Sequence, residues 1–265
     1  MPELAEVEYY RRQWDPGLGG RVLGLELSVA KRVFRGMDGT QLEGALKGKR
    51  LEQSHSHGKQ MLFGFSGGCW LGVHLGMTGS LRCESPAYAR CKHDHLMLKQ
   101  RSRSLVFSDP RCFGRLRFER SSGWPEWWSL LPPAPHSEAF SFQWVCDFLR
   151  RRARTPLKSA LLDQAGFPGV GNWMADEILW RAGMHPRTQA ARLGEKELAT
   201  LWRQTRSVSL GALKHVAPDF SDPPSSWLFR HRWKQGGCCP RDGKPLQRDV
   251  VGGRTTVWCE RCQPG

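Results

Sequence analysis

The sequence predicts an α+β chain, with an N-terminal helix leading into an antiparallel β-sandwich, then a helical domain, then a C-terminal β-hairpin that carries cysteines. Three observations predict it. Short apolar stretches separated by glycine-rich or polar turns recur up to Glu119; helical periodicity takes over beyond a proline cluster; and four cysteines crowd between Cys238 and Cys262.

The opening stretch places Leu4, Val7, Tyr10 and Trp14 on one face of a helix. Gln60 to Phe65 and Trp70 to Leu75 flank the turn Ser66-Gly67-Gly68, and His95 to Lys99 and Leu105 to Phe107 flank a polar basic turn, which reads as a meander of hairpins. Leu131-Pro132-Pro133-Ala134-Pro135 is a stiff linker. Helices are predicted over Phe142 to Arg152, Lys158 to Asp163, Trp173 to Ala182 and Glu195 to Val208. The 12 tryptophans are assigned mainly to the two cores, with base stacking as the functional alternative.

With 40 Lys and Arg against 25 Asp and Glu, the chain of 265 residues carries a formal charge of +15 and attracts polyanions. No apolar run reaches a membrane-spanning length and no basic-then-apolar signal opens the chain, so a membrane partner is excluded and a cytoplasmic protein is expected. Cys69, Cys83, Cys91, Cys112 and Cys146 are scattered singly and read as reduced thiols.

Pro2 follows a removable Met1. Its freed secondary amine, with Glu3 and Glu6 within one helical turn, is a nucleophile with proton carriers beside it. Attack on a sugar aldehyde carbon gives an iminium that acidifies the adjacent carbon and eases phosphate elimination. The ordinary alternative is a proline and acidic residues at a helix start. Gly169-Val170-Gly171-Asn172 precedes an apolar helix; Asn172 is the expected N-cap, and the first amides are expected to be open to a DNA phosphate.

Cys259 and Cys262 form a CxxC pair, and Cys239 lies where an upstream pair begins, but Asp242 stands where its second cysteine belongs. A Cys3Asp site for one structural Zn2+ is the preferred set, with Cys238 and His231 as other candidate ligands. Arg254, in Gly252-Gly253-Arg254-Thr255-Thr256, is a candidate phosphate clamp at a hairpin tip. His93 and His95 lack a third ligand and are read as structural.

Six ordered motifs add a resemblance: Pro2 to Leu4, His74 to Leu81, Lys92 to His95, Asp109 to Gly114, Gly169 to Asn172 and Gly253 to Cys259. Together they resemble the formamidopyrimidine-DNA glycosylase and endonuclease VIII family over essentially the whole chain. The resemblance implies a catalytic β-sandwich over 1–130, a linker over 131–140, a helix-two-turn-helix domain over 141–232 and a zinc-finger hairpin over 233–265. It implies a monomeric bifunctional glycosylase and AP lyase of base excision repair acting on damaged double-stranded DNA. Pro2 would attack C1′ and Glu3 would handle protons, with Glu6 supporting the site and Lys59 holding the phosphate near the lesion. His74, Asn172 and Arg254 would complete that phosphate grip, and Met77, Arg111 and Phe113 would fill the gap left by the flipped nucleotide.

The chain departs from the family at Ala5, in place of a second proline, at Cys112, in place of an arginine, and at Asp242. The stretch Leu213 to Trp233, with Pro218, Pro223 and Pro224, is a poor copy of the family's lesion-covering loop. The wedge residues favour oxidised purines; pyrimidine lesions, abasic sites, crosslinks, or damage binding without catalysis are the alternatives.

Overall fold

A computed structural model describes residues 1–28, 31–233 and 236–265, so Lys234 and Gln235 of the expected 233–265 hairpin segment lie outside the described residues. The chain divides into two compact units, one comprising Met1–Pro2 and Glu6–Leu131, the other Glu3–Ala5 and Pro132–Gly265.

The first unit is a sandwich of two antiparallel four-stranded sheets. One sheet orders β1 (Gly24–Leu27), β6 (Asp94–Lys99), β7 (Ser104–Ser108) and β5 (Ser80–Glu84); the other orders β2 (Leu51–His57), β3 (Gln60–Phe65), β4 (Cys69–His74) and β8 (Arg115–Arg120). Alternation decides which side chains enter the core. Met61, Phe63 and Phe65 of β3, Leu71 and Val73 of β4, and Leu116 of β8 pack with Leu81, Leu96, Leu98, Leu105 and Phe107 from the other sheet. Val7 and Trp14 join them, the indole of Trp14 donating to the Val106 carbonyl at 3.3 Å. Helix α1 (Leu4–Arg12) carries Glu8, whose carboxylate accepts from Arg11, Arg12 and the Ser56 hydroxyl of β2.

Two expectations are corrected here. A helix, α2 (Gly39–Leu46), interrupts the run of strands, because the Asp38 carboxylate caps it by accepting from the Thr40 amide at 2.9 Å. Most tryptophans also lie outside the two large cores: Trp180 packs with Cys239 and Cys259, Trp233 is exposed, and four others form a layer of their own. Trp70, Trp124, Trp127 and Trp128, the last two on the single turn α3 (Glu126–Ser129), cover the outer face of the second sheet. Trp124 packs against Trp70 with ring centroids 5.2 Å apart, and His57 meets Trp128 at 5.9 Å. Gly64 and Gly72 make room for them: a Cβ at either position would stand within 2.8 Å of an indole carbon.

The second unit packs α4 (Phe142–Arg150), α5 (Leu157–Leu162), α6 (Asn172–Ala182) and α7 (Glu195–His215) around Phe148, Leu161, Phe167, Ile178, Leu201 and Val208. The Ser141 hydroxyl caps α4, and Gly183 at φ 69° ends α6 in the left-handed conformation. Helix α7 runs past the expected Val208 to His215, since Ser209 and Ala212 keep its inward face buried. Val251 and Arg254 pair across the two-residue turn Gly252-Gly253, joining β9 (Gln247–Val251) to β10 (Arg254–Trp258). Both turn glycines have positive φ, 58° and 73°, as the favoured hairpin turn requires. Among the described residues no helix is long and apolar enough to cross a membrane.

Candidate functional site

Helix α6 is the centre of the second unit's site, and its first amides are not open to solvent. The Glu3 carboxylate accepts from the Gly171 and Trp173 amides at 2.9 Å each and from the Met174 amide at 3.1 Å. The expected Asn172 cap is therefore corrected: Gly171 is the N-cap and Asn172 the first helical residue. An acidic side chain takes the orphan donors at the positive end of the helix, where it is favoured over an amide. A Cβ at Gly171 would lie 2.3 Å from Glu3 Cδ, so only glycine lets the carboxylate in. The neighbouring Leu4 amide is also tied down, donating to the Gly169 carbonyl at 3.0 Å.

Released from capping, the Asn172 side chain donates from Nδ2 to the Thr255 carbonyl at 2.8 Å and fixes the strand that begins with Arg254. Arg254 itself is exposed. Beneath them lies a charged cluster that sequence reasoning missed. Lys158 Nζ donates to the Asn172 carbonyl at 2.7 Å and pairs with Asp176 at 2.5 Å, while Arg232 pairs with the second oxygen of Asp176 at 2.6 Å. That oxygen also accepts from the Val257 amide at 3.2 Å. All three charges are buried. Burial pushes the Lys158 ammonium downward despite the attraction of Asp176. The only sequence signal was a Lys and an Asp inside otherwise apolar helical faces.

In the first unit, Pro2 is half-buried and Met1, whose removal would free its nitrogen, is exposed. Glu6 lies on α1, and its charge helps to raise the Tyr10 hydroxyl's pKa, after burial. Lys59 is buried at the two-residue turn between β2 and β3, where Gly58 takes φ 59°. The Gly76 amide donates to His74 Nδ1 at 3.1 Å, which leaves the ring proton on Nε2. Burial, with Lys59 and Arg35 nearby, lowers the His74 pKa, so at neutral pH the ring is an uncharged donor.

Met77, Arg111 and Phe113 project from two turns that Asp109 ties together. Its buried carboxylate accepts from the Thr78 hydroxyl and the Gly114 amide, both at 2.7 Å, and from the Arg111 amide at 3.2 Å. Gly76, at φ 64°, allows the turns to touch: a Cβ there would stand 2.4 Å from the Phe113 carbonyl carbon. Met77 and Phe113 are each 40 % exposed, and the Arg111 guanidinium lies 4.7 Å over the Phe113 ring. These residues sit outside the core. Between them Cys112 adopts φ 53°, a conformation rare for a side chain of its kind. His95 is buried with Nε2 2.8 Å from the Asp109 carbonyl oxygen, a packing role.

Cys239, Asp242, Cys259 and Cys262 place one donor atom each within 4.8 Å of one another. Cys239 and Cys262 Sγ are 3.8 Å apart, and an Asp242 oxygen is 3.4 Å from Cys259 Sγ and 3.5 Å from Cys262 Sγ. Tetrahedral ligands at about 2.3 Å from one ion are separated by about 3.8 Å, so the cluster fits a metal ion. Burial and neighbouring thiols push the Cys262 thiol up to about 12. Cys238 is exposed, and His231 directs Nε2 to the Ser225 carbonyl at 3.1 Å; neither belongs to the cluster. The Trp180 indole donates to Cys239 Sγ at 3.3 Å.

Comparison with known proteins follows the same division. The model of the formamidopyrimidine-DNA glycosylase N-terminal domain matches residues 1–116, and that of its H2TH domain matches residues 131–219. The formamidopyrimidine-DNA glycosylase of Thermus thermophilus is 38 % identical over 275 residues, covering 99 % of this chain and 98 % of its own. The chain belongs to the formamidopyrimidine-DNA glycosylase family. The Thermomicrobium roseum glycosylase is 34 % identical over 288 residues, covering 100 % of this chain and 99 % of its own. Among solved glycosylases, a complex of LlFpg with a THF-DNA and an inhibitor superposes with a TM-score of 0.89 at 28 % identity, covering 100 % of both chains. The Lactococcus lactis Fpg complexed with abasic-site DNA gives 0.88 at 28 % identity, covering 99 % of this chain and 100 % of its own.

In this glycosylase the segment that follows α7 turns back onto α6. Trp227 and Leu228 are buried, Trp227 lies 6.4 Å from the Trp173 ring, and Arg181 sits 4.1 Å over it. Phe220, at φ 64° and 44 % exposed, lies on the outward part of that segment.

Proposed function

We propose that this base excision repair glycosylase removes oxidised bases through an iminium formed at Pro2 and cleaves the strand by β,δ-elimination. The observation that carries the reading is the fixed Glu3 carboxylate, the covalent neighbour of the amine, held by three amides at the start of α6. Once Met1 is removed, the Pro2 nitrogen attacks C1′ of the damaged nucleotide and the base departs. The sugar ring opens as O4′ takes a proton, and the C1′–N bond becomes an iminium. A C2′ proton is then lost, the 3′ phosphate leaves, and a second elimination releases the 5′ phosphate. Glu3 serves the proton transfers, because its oxygens are acceptors already held in place. Glu6 supports it.

Lys59, His74, Asn172 and Arg254 grip the backbone at the lesion; His74 does so as a neutral donor. Met77, Arg111 and Phe113 replace the extruded nucleotide, offsetting the cost of unstacking. The lean toward oxidised purines rests on that wedge. Zinc fits the C-terminal cluster, held by Cys239, Cys259, Cys262 and Asp242; it would lock the hairpin bearing Arg254. Segments 1–130, 141–232 and 233–265, joined by 131–140, divide these tasks.

A panel of duplexes carrying a formamidopyrimidine, an oxidised pyrimidine or an abasic site tests the reading. Base release followed by a gap with phosphate at both ends is expected. Gel retardation of every duplex without cleavage would instead favour a damage-binding protein.

A further inference from the structure

The outer face of the second sheet in the first unit contains a recess of about 200 Å³, lined by Arg35, Arg115, Arg117, Gln60, His74 and Trp127 over Gly72. Strand register creates it. Gln60 pairs with His74 and His74 with Arg115, while one step along Gly72 pairs with Arg117, so these residues share a face. Gly72 provides the floor: a Cβ there would stand 2.8 Å from Trp127 Cζ2. Trp127 is the wall, with the Arg117 guanidinium 4.7 Å over its ring and its own Nε1 buried without a hydrogen-bond partner among the described residues.

The charge in this recess is unbalanced. No carboxylate lines it, and none of its guanidiniums has an ion pair among the described residues. Three like charges around one cavity repel each other, and an anion within it relieves that repulsion. His74 also lines the recess, its Nδ1 taken by the Gly76 amide. The volume equals that of roughly six or seven waters at about 30 Å³ each, room for a tetrahedral oxyanion and the edge of a sugar. An internal phosphodiester carries one charge and stays within a continuous backbone. A terminal phosphate carries about −1.5 to −2 near neutrality, offers three acceptor oxygens to guanidinium forks, and can leave the duplex end.

We propose that the recess formed by Arg35, Arg115, Arg117 and Trp127 binds a phosphate monoester, the phosphate left at a strand end by β,δ-elimination. That choice of source rests on the lyase reading above; the anion chemistry does not. Bound there, the cut end stays shielded until the product is handed on.

The test uses the full chain and one-nucleotide-gapped duplexes ending in phosphates or in hydroxyls, with binding followed by tryptophan fluorescence. Phosphate ends should bind about tenfold more tightly, the scale of one charge-assisted hydrogen bond, and that preference should disappear in Arg117→Gln and in Arg115→Gln. Trp127→Phe should remove the fluorescence response. Inorganic phosphate and a deoxynucleoside 5′-monophosphate form separate arms. Saturable quenching by these, without discrimination between duplex ends, would keep the monoester site and reassign its source to a free nucleotide. Equal affinity for both ends with no response to either free anion overturns the proposal, as does a preference that survives both arginine substitutions. Borohydride trapping of uncut abasic duplex by the unaltered chain is run alongside: its failure sinks the lyase reading and leaves the free-anion arms interpretable.

Discussion

Burial of Glu8 disfavours its charge, yet the carboxyl is held down at about 2 because Arg11, Ser56 and Arg12 all donate to it. A group whose folded pKa is depressed adds stability above its unfolded pKa of about 4.5 and loses it as pH falls through the folded value. Glu8→Gln should therefore destabilise the protein by about 1–2 kcal/mol at neutral pH, after allowing for solvent screening at this partly exposed site. Denaturant titrations should show the gap between variant and parent closing from pH 4.5 down to about 2. A gap independent of pH would reject the ionic explanation.

At the same scale, what could be read from sequence depended on whether a residue's candidacy lies within its own motif. Pro2, Lys59, Met77 and Phe113 stand out by their local strings. Glu3 was legible as a proton carrier but not as the cap of a helix that begins at Asn172, far along the chain. Nothing local predicts such a contact. The same reason hid Lys158 and Asp176, which look like stray charges until α5, α6 and β10 meet.

Among elements, periodicity was informative where burial is one- or two-sided and regular. Gln60–Phe65 is a strand with the predicted bounds, because its hydrophobic run is bracketed by turn residues. Helix α2 was hidden by its short length and by glycines at Gly39 and Gly44, and the tryptophan layer by its position on a sheet face that sequence reading expects to be polar. Asp176 couples three of these elements. Asp176→Ala leaves Lys158 and Arg232 buried without their carboxylate and should cost about 3–5 kcal/mol, seen as a large fall in melting temperature. A loss within experimental error would mean that the cluster holds nothing together.

The C-terminal hairpin is the second element that a single residue can test. Asp242→Ala should weaken zinc binding by at least about tenfold, whereas Asp242→Cys should strengthen it. Chelator competition measures both, and Trp180 fluorescence reports the site because its indole donates to Cys239. Unchanged affinity in Asp242→Ala would remove this aspartate from the ligand set.

For the whole molecule, a charge of +15 makes DNA binding strongly salt-dependent. Arg254→Ala should lower affinity and flatten the plot of log K against log salt by about 0.9, one phosphate contact. An unaltered slope would reject the clamp. Motif order made the architecture legible at this scale, while the turned-back segment around Trp227 was not, since its prolines say where it cannot be regular and not where it packs.

Chain purified without Met1 should become covalently joined to an abasic-site duplex in the presence of borohydride, with the linkage mapping by mass spectrometry to Pro2. A protein that binds this duplex tightly yet yields no reduced adduct, or one joined through a lysine instead, would contradict the account.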